Sequence, residues 1–225
     1  MLDNLWLLHE STVAALTALW RSWELVLVDD GSTDGSAERL DEIAAADPNV
    51  TMIHLSRNCG QIAAPMAGLD VASGDVIVPM DGDLQNDPAD SAKLLAKLDE
   101  GYDVVSGWRR ERKDHPIKSN FTSRVANTLI SRVSGVHLHD YGCSLKACWR
   151  SVLDGVKLYG EMHRFVPVYA SWNGARVAEV PVLHAPRLHG ESKYGPERVV
   201  KVILDLIVVK FLFRYASTSC HVPAR

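Results

Sequence analysis

Apolar residues fall along this chain in two rhythms, and their alternation sets out a fold. Residues 3–20 place Leu5, Leu8, Ala15, Leu16 and Leu19 at helical spacing, with Asp3 positioned to cap. Residues 24–28 follow, Glu24 leading the short unalternating apolar run Leu25-Val26-Leu27-Val28, the pattern of a strand buried on both faces. That run opens into Asp29-Asp30-Gly31-Ser32-Thr33-Asp34-Gly35-Ser36, dense in turn formers and helix caps. A helix is predicted over 36–46, a strand over 50–55, and a small-residue helix through Ala64, Ala67 and Ala72 that tolerates Pro65 near its first turn. Residues 76–80 form another unbroken apolar run, closed by Asp81-Gly82-Asp83-Leu84-Gln85-Asn86-Asp87-Pro88. A helix over 88–100 and a strand over 102–106 follow. Strand and helix taking turns in this way predict a parallel α/β sheet with right-handed crossovers.

Past residue 106 the pattern is less regular. A helix is expected over 117–133, with Val125, Leu129, Ile130 and Val133 on one face, then strand or loop at 141–146. Residues 162–172 read as helical despite Pro167, and 176–183 as a last strand. Over 197–214, Val202, Leu206, Val209 and Phe213 share a helical face, with Lys201, Asp205, Lys210 and Arg214 set among them. This reads as an amphipathic helix at an interface, with burial against the domain as the alternative.

Loops that follow parallel strands share one edge of the sheet, which in open α/β folds is the ligand edge. Three loops fall there: Asp29-Asp30, Arg57-Asn58 and Asp81-Gly82-Asp83. Asp81 and Asp83, two apart in a turning backbone, point to one side and can converge on a cation. Gly82 leaves room for a ligand between them. Oxygen ligands suit Mg²⁺ or Mn²⁺ more than zinc; the plain alternative is a solvated acidic turn. Asp29-Asp30 either caps the next helix or accepts hydrogen bonds from a base or ribose. The run Trp108-Arg109-Arg110-Glu111-Arg112-Lys113, extended by Lys118 and Arg124, is either a solvated loop or an anion site, since arginine forks match phosphate oxygens. Lys193 stands within Gly190-Glu191-Ser192-Lys193-Tyr194-Gly195, a loop with a cation at its centre.

Composition narrows the reading. With 225 residues the chain can bury a full core, and it divides into a domain over 1–196 and the tail 197–225. A net charge of −4 argues against general nucleic-acid binding. Four cysteines without a Cys-x-x-Cys pair suggest reduced, cytosolic thiols. Asp3 and His9 interrupt any signal peptide, and no stretch reaches the ~18–20 apolar residues of a membrane span. His137, His139, His163, His184 and His189 lack zinc-type spacing.

Three ordered motifs, Leu27-Val28-Asp29-Asp30-Gly31-Ser32-Thr33-Asp34, Ser56-Arg57-Asn58-Cys59-Gly60-Gln61 and Met80 through Pro88, resemble those of family 2 glycosyltransferases. Within the family the match is to the polyprenyl-phosphate group, with Trp172-Asn173-Gly174 and residues 190–195 resembling its later motifs. The resemblance implies a GT-A type, Rossmann-like α/β fold, with a mostly parallel twisted sheet flanked by helices and a C-terminal amphipathic helix. It implies metal-dependent, inverting transfer of a sugar from a UDP- or GDP-linked nucleotide sugar to a polyprenyl phosphate. Asp29, Asp30, Arg57 and Asn58 would then line the donor site, Asp30 meeting the nucleotide. Asp81, Asp83 and Gln85 would hold Mg²⁺ or Mn²⁺ and the diphosphate, and Lys193 would close over the donor phosphates. Arg109, Arg112, Ser123 and Arg124 would receive the lipid phosphate. The expected partners are the nucleotide sugar, the lipid and a membrane surface, with no nucleic acid and a homo-oligomer left open. The expected location is cytoplasmic, peripheral at the inner face of the cell membrane. Two alternatives remain: transfer to a polysaccharide or protein hydroxyl, and a truncated inactive nucleotide-binding module. In the family a first strand ends Pro-Val-Tyr-Asn-Glu, and many bacterial members continue into two membrane helices. Met1 falls after the one and Arg225 where the other would begin, so an upstream strand is expected in the natural protein.

Overall fold

The computed structural model describes residues 5–60, 63–110, 127–128, 130–132, 134–153, 162–186 and 211. The first half alternates as its pattern predicts: α1 (Leu5–Thr17), β1 (Leu25–Asp29), α2 (Ser36–Ala46), β2 (Val50–His54), α3 (Ala63–Val71) and β3 (Val76–Ile77). A 3₁₀ turn (Pro88–Asp90) leads into α4 (Ser91–Asp99), then β4 (Val104–Trp108). The second half holds β5 (Lys146–Trp149), α5 (Arg150–Leu153), a 3₁₀ turn (Met162–Phe165), α6 (Val166–Trp172) and β6 (Val177–Pro181). Pro167 sits in the first turn of α6, where its missing amide has no intrahelical partner to lose. The described residues between 127 and 134 are helical. The rest of the expected 117–133 helix, Asp3, the 190–195 loop and the tail, apart from Phe211, lie outside the described residues, and with them the boundary at 196.

The class is α/β as expected, but the strands form two sheets and the larger one is mixed. β1 pairs with β2 in parallel, from Leu25↔Val50 to Asp29↔His54. The four-stranded sheet runs β3-β5-β4-β6, with β5 antiparallel to both neighbours and β6 parallel to β4. The expected strand over 76–80 is paired only at Val76↔Trp149 and Ile77↔Cys148. Pro79 offers no amide to a ladder, so pairing stops short of it. Since β5 opposes both β3 and β4, those two run the same way. The carboxyl ends of β3, β4 and β6 and the entry to β5 therefore share one edge.

β4 is the centre of this sheet. Val104 and Val105 point to opposite faces, and both are fully buried. Val105 packs in a cluster with Leu94, Leu95 and Leu98 of α4 and with Cys143, Leu145 and Ala147. Val104 packs with Cys148 and Ala170 of α6. A separate cluster of Leu5, Leu40, Ile43 and Val50 joins α1 and α2 to the parallel pair.

The two sheets are tied at the start of β3. The Glu24 carboxylate, just before β1, accepts from the backbone N–H of Ser73 (2.6 Å) and Gly74 (2.7 Å). Those amides, Ser73 first, hold its pKa below the usual carboxylate value. Arg150 donates to the carbonyls of Gly74 (2.9 Å) and Ala72, covering the end of α3 with a cation.

Candidate functional site

The first two edge loops are built into each other. Gly31 has φ 71°, and a Cβ there would lie 2.6 Å from the Arg57 carbonyl carbon and 2.7 Å from the Asn58 nitrogen. Only glycine permits that approach. The Asp30 carboxylate accepts from the backbone N–H of Cys59 (2.7 Å) and Gly60 (3.0 Å), fixing the 57–60 loop against the 29–31 turn. Asp29 is buried, and its carboxylate accepts from Ser32 N–H at 3.1 and 3.3 Å. Arg57 and Asn58 carry exposed side chains. The structure thus brings Asp29, Asp30, Arg57 and Asn58 together, with both aspartates already serving loop geometry.

An open cleft of about 390 Å³ adjoins them, lined by Asp29, Ser32, Glu38, Asp41, His54 and Ser56 among others. His54 was not singled out from sequence. Its Nε2 lies 2.9 Å from Asp41 Oδ1 and its Nδ1 3.6 Å from Asp29 Oδ2. The hydrogen bond to Asp41, seconded by Asp29, raises its pKa above the ordinary 6.5. A second cleft of similar volume, beside Asp103, Ser151, Tyr169 and Asn173, lies at the opposite end of β4 from these loops.

The acidic loop follows β3. Asp81 is exposed, and Asp83 Oδ1 accepts from Gln85 N–H at 3.1 Å. That bond closes a turn in which Leu84 takes φ 60°, a conformation rare for a bulky residue and found where a site holds strain. Leu8 of α1 approaches Gly82, its Cδ2 3.5 Å from where a Cβ would stand. Among the described residues no group of three or more His, Cys, Asp or Glu side chains is arranged to hold a metal alone. Two carboxylates and the Gln85 amide oxygen make a hard, all-oxygen donor set too small to close a shell. That fits an ion such as Mg²⁺, which keeps positions for phosphate oxygens.

The far end of the acidic loop reaches the larger sheet's other edge loops. Asn86 is buried; its Nδ2 donates to Ser144 Oγ at 2.9 Å, and it bridges to His184. Ala185 N–H donates to Gln85 carbonyl oxygen at 2.9 Å. Ser144 belongs to the 139–145 loop, which also holds Asp140. Arg109, at the end of β4, grips Asp140 with both sides of its fork: Nε to Oδ2 at 2.7 Å and Nη2 to Oδ1 at 3.0 Å. Glu179 of β6 braces the loop by accepting from His139 N–H (3.0 Å) and Asp140 N–H (2.9 Å). Lys146 is buried beneath and donates to the Cys143 carbonyl; burial lowers its pKa, and Arg109 and Arg164 push the same way against Cys143 and Asp140.

Of the residues read as an anion site, Arg109 is therefore placed at the edge with a carboxylate partner. Arg112, Ser123, Arg124 and Lys193 lie outside the described residues. Asn86, Asp140, Ser144, Lys146 and Arg164 escaped the sequence reading. The available signal was Asp140, an isolated carboxylate in the otherwise weakly charged stretch 133–145.

The profile described as "Glycosyl transferase family 2" matches residues 7–156. The chain is 44% identical over 218 residues to a dodecaprenyl-phosphate galacturonate synthase of Rhizobium johnstonii, covering 95% of this chain and 64% of that protein. It is 40% identical over 206 residues to an undecaprenyl-phosphate 4-deoxy-4-formamido-L-arabinose transferase of Pseudomonas fluorescens, covering 91% and 60%. The chain thus spans a little over three fifths of the first relative's length and 60% of the second's. Among solved structures, it resembles a mannosyltransferase from Pyrobaculum calidifontis in complex with GDP-Man and Mn²⁺, with TM-score 0.58, 17% identity and coverage of 95% and 72%. It also resembles glucosyl-3-phosphoglycerate synthase from Mycobacterium tuberculosis with Mn²⁺, UDP and glucosyl-3-phosphoglycerate, with TM-score 0.62, 20% identity and coverage of 88% and 74%.

Proposed function

The chain belongs to glycosyl transferase family 2 and has the GT-A type fold, and on that premise we propose that it transfers a sugar from a UDP- or GDP-linked donor to a polyprenyl phosphate. One observation carries the reading: the acidic loop and Arg109 share a sheet edge and are joined through the 139–145 loop, by the Asn86–Ser144 hydrogen bond on one side and the Arg109–Asp140 pair on the other. Relatives named for dodecaprenyl and undecaprenyl phosphate support the acceptor class.

In this reading Asp81, Asp83 and Gln85 hold Mg²⁺ or Mn²⁺ with the donor diphosphate. When bound, the ion neutralises charge that develops on the departing nucleoside diphosphate. The 29–32 and 57–60 loops, locked together by Asp30 and Gly31, shape the nucleotide's seat. Arg109, oriented by Asp140, meets the acceptor phosphate; Arg112, Ser123 and Arg124 would share that role, and Lys193 would serve the donor phosphates. An acceptor phosphate oxygen attacks the anomeric carbon as the bond to the diphosphate oxygen breaks, inverting that centre. The attacking oxygen is already anionic, so no side chain need remove a proton; positioning and charge neutralisation remain for the protein.

Among the described residues no helix is long and apolar enough to cross a membrane. The lipid is met at the membrane surface, with the 197–214 segment as the contact and the cytoplasmic side supplying the donor. The test is mass spectrometry of polyprenyl phosphate after incubation of the full-length protein with Mg²⁺ and a panel of nucleotide sugars. A glycosylated lipid, abolished by EDTA, is expected. No new lipid species with any donor would sink the reading.

A further inference from the structure

We propose that Glu179 is a positioning residue for the acceptor phosphate, acting through Arg109; the assignment rests on the polyprenyl-phosphate reading above. Arg109 follows Trp108, the last residue of β4, and Asp140 holds its fork. A planar guanidinium matches phosphate oxygens only when it is correctly aimed, so whatever fixes Asp140 fixes that match. Asp140 itself stands on a loop, outside any strand or helix. Glu179 ties that loop to β6, a strand of the same sheet.

The contacts close a ring. β6 pairs with β4 in parallel, with Ser106↔Glu179 and Trp108↔Pro181 in register. Ser106 and Trp108, two apart on a strand, share a face, and Glu179 in register with Ser106 stands on that face too. Its carboxylate divides between two consecutive loop residues. Oε1 accepts from Asp140 N–H at 2.9 Å, and Oε2 accepts from His139 N–H at 3.0 Å. Oε2 also lies 2.8 Å from His139 Nδ1, and the imidazole stacks on Trp108 with ring centroids 4.2 Å apart at 19°. Two consecutive residues held by one carboxylate thus meet two consecutive residues at the end of β4: His139 meets Trp108, and Asp140 meets Arg109. The Glu179 side chain is only 9% exposed, so water does not readily replace these bonds. The arrangement also needs both oxygens. An amide in the same place has one acceptor oxygen and cannot serve the two backbone N–H groups on either side.

The test is binding of farnesyl phosphate against farnesol, and of UDP or GDP, to the full-length protein in detergent. The wild type is expected to prefer the phosphate. Glu179→Gln should lose about tenfold of that preference, with nucleotide affinity changed by less than about twofold. A double-mutant cycle with Arg109→Gln separates positioning from general support of the fold. Arg109→Gln alone should lose at least as much preference as Glu179→Gln, and adding Glu179→Gln to it should cost nothing further. If Glu179→Gln does not fold, Glu179→Asp carries the same cycle, because it keeps the charge and both oxygens but withdraws them by one methylene. It should show the same selective loss. Full phosphate preference in Glu179→Gln, or in Glu179→Asp where that variant carries the test, overturns the assignment while leaving the acceptor reading intact. So does an undiminished loss in the Arg109→Gln background, which would mean that Glu179 does not act through Arg109. A wild type that does not distinguish farnesyl phosphate from farnesol overturns both.

Discussion

The carboxylates of this site differ in what they are already doing. Asp29 is engaged by a backbone amide of its own loop and Asp30 by two amides of the neighbouring 57–60 loop, whereas Asp81 is exposed and Asp83 closes a single turn through Gln85. Asp83→Asn keeps a side-chain oxygen for that turn and removes the charge. It should leave the melting temperature within about 2 °C, since the turn keeps its hydrogen bond, and abolish metal-dependent binding of nucleotide and turnover. Wild-type turnover in the variant would remove Asp83 from the metal site. His54 offers a second test, on stability. Its folded pKa is raised by Asp41 and Asp29, so its contribution is fully present below 6.5 and is lost as pH rises through the folded value. The melting-temperature gap between wild type and His54→Gln should shrink from about pH 6 to pH 8. A gap that stays constant would show that the imidazole's charge is irrelevant. Which residues carry charge at the edge was legible from local motifs. Their partners were not: the Arg109–Asp140 pair spans 31 positions, and nothing in the neighbourhood of Asp140 marks it as an arginine's anchor.

At the scale of elements, the sequence located α1, α2, β1, β2 and β4 because each is either a helical period or a short apolar run bounded by cap or turn residues. It did not give the direction of β5. Tyr141, Cys143 and Leu145 alternate with Gly142, Ser144 and Lys146, which suggests an extended segment but not its direction, and an antiparallel return depends on a connection whose path no local pattern encodes. Nor did it give the length of β3, since an apolar run reads as strand whether or not a neighbour pairs with it. Burial now ranks the strands. β4 lies between β5 and β6, with Val104, Val105 and Ser106 inaccessible to water, whereas β3 has two paired residues, both only partly buried. Native-state hydrogen exchange should therefore find the amides of 104–106 opening only with global unfolding and those of 76–77 opening earlier. Equal protection in the two strands would contradict this ranking.

At the scale of the molecule, the proposed chemistry asks two anions to approach each other, a diphosphate at the acidic loop and a phosphate at the Arg109 loop. Each loop can bind its own ligand through its own residues, but the reaction also needs the two ligands at a fixed separation. Asn86 is the side chain expected to set it. It is 6% exposed, belongs to the acidic loop and donates to Ser144 on the loop that carries Asp140 and Gly142. Asn86→Ala removes that bond and leaves a partly buried hydroxyl to find water, a loss of about 1–2 kcal/mol. For a chain of this size that corresponds to roughly 2–8 °C in melting temperature. The ligand-contacting groups on either side are untouched, so affinities for nucleotide and for farnesyl phosphate should change by less than about threefold. Turnover should fall by about tenfold or more, because a displacement near 1 Å between reacting groups is enough to cost that much. Donor binding, acceptor binding and single-turnover transfer measured on the same variant separate the outcomes. Unaltered transfer would mean that Asn86 does not set the spacing, and collapse of either affinity would place it inside one ligand's site rather than between the two.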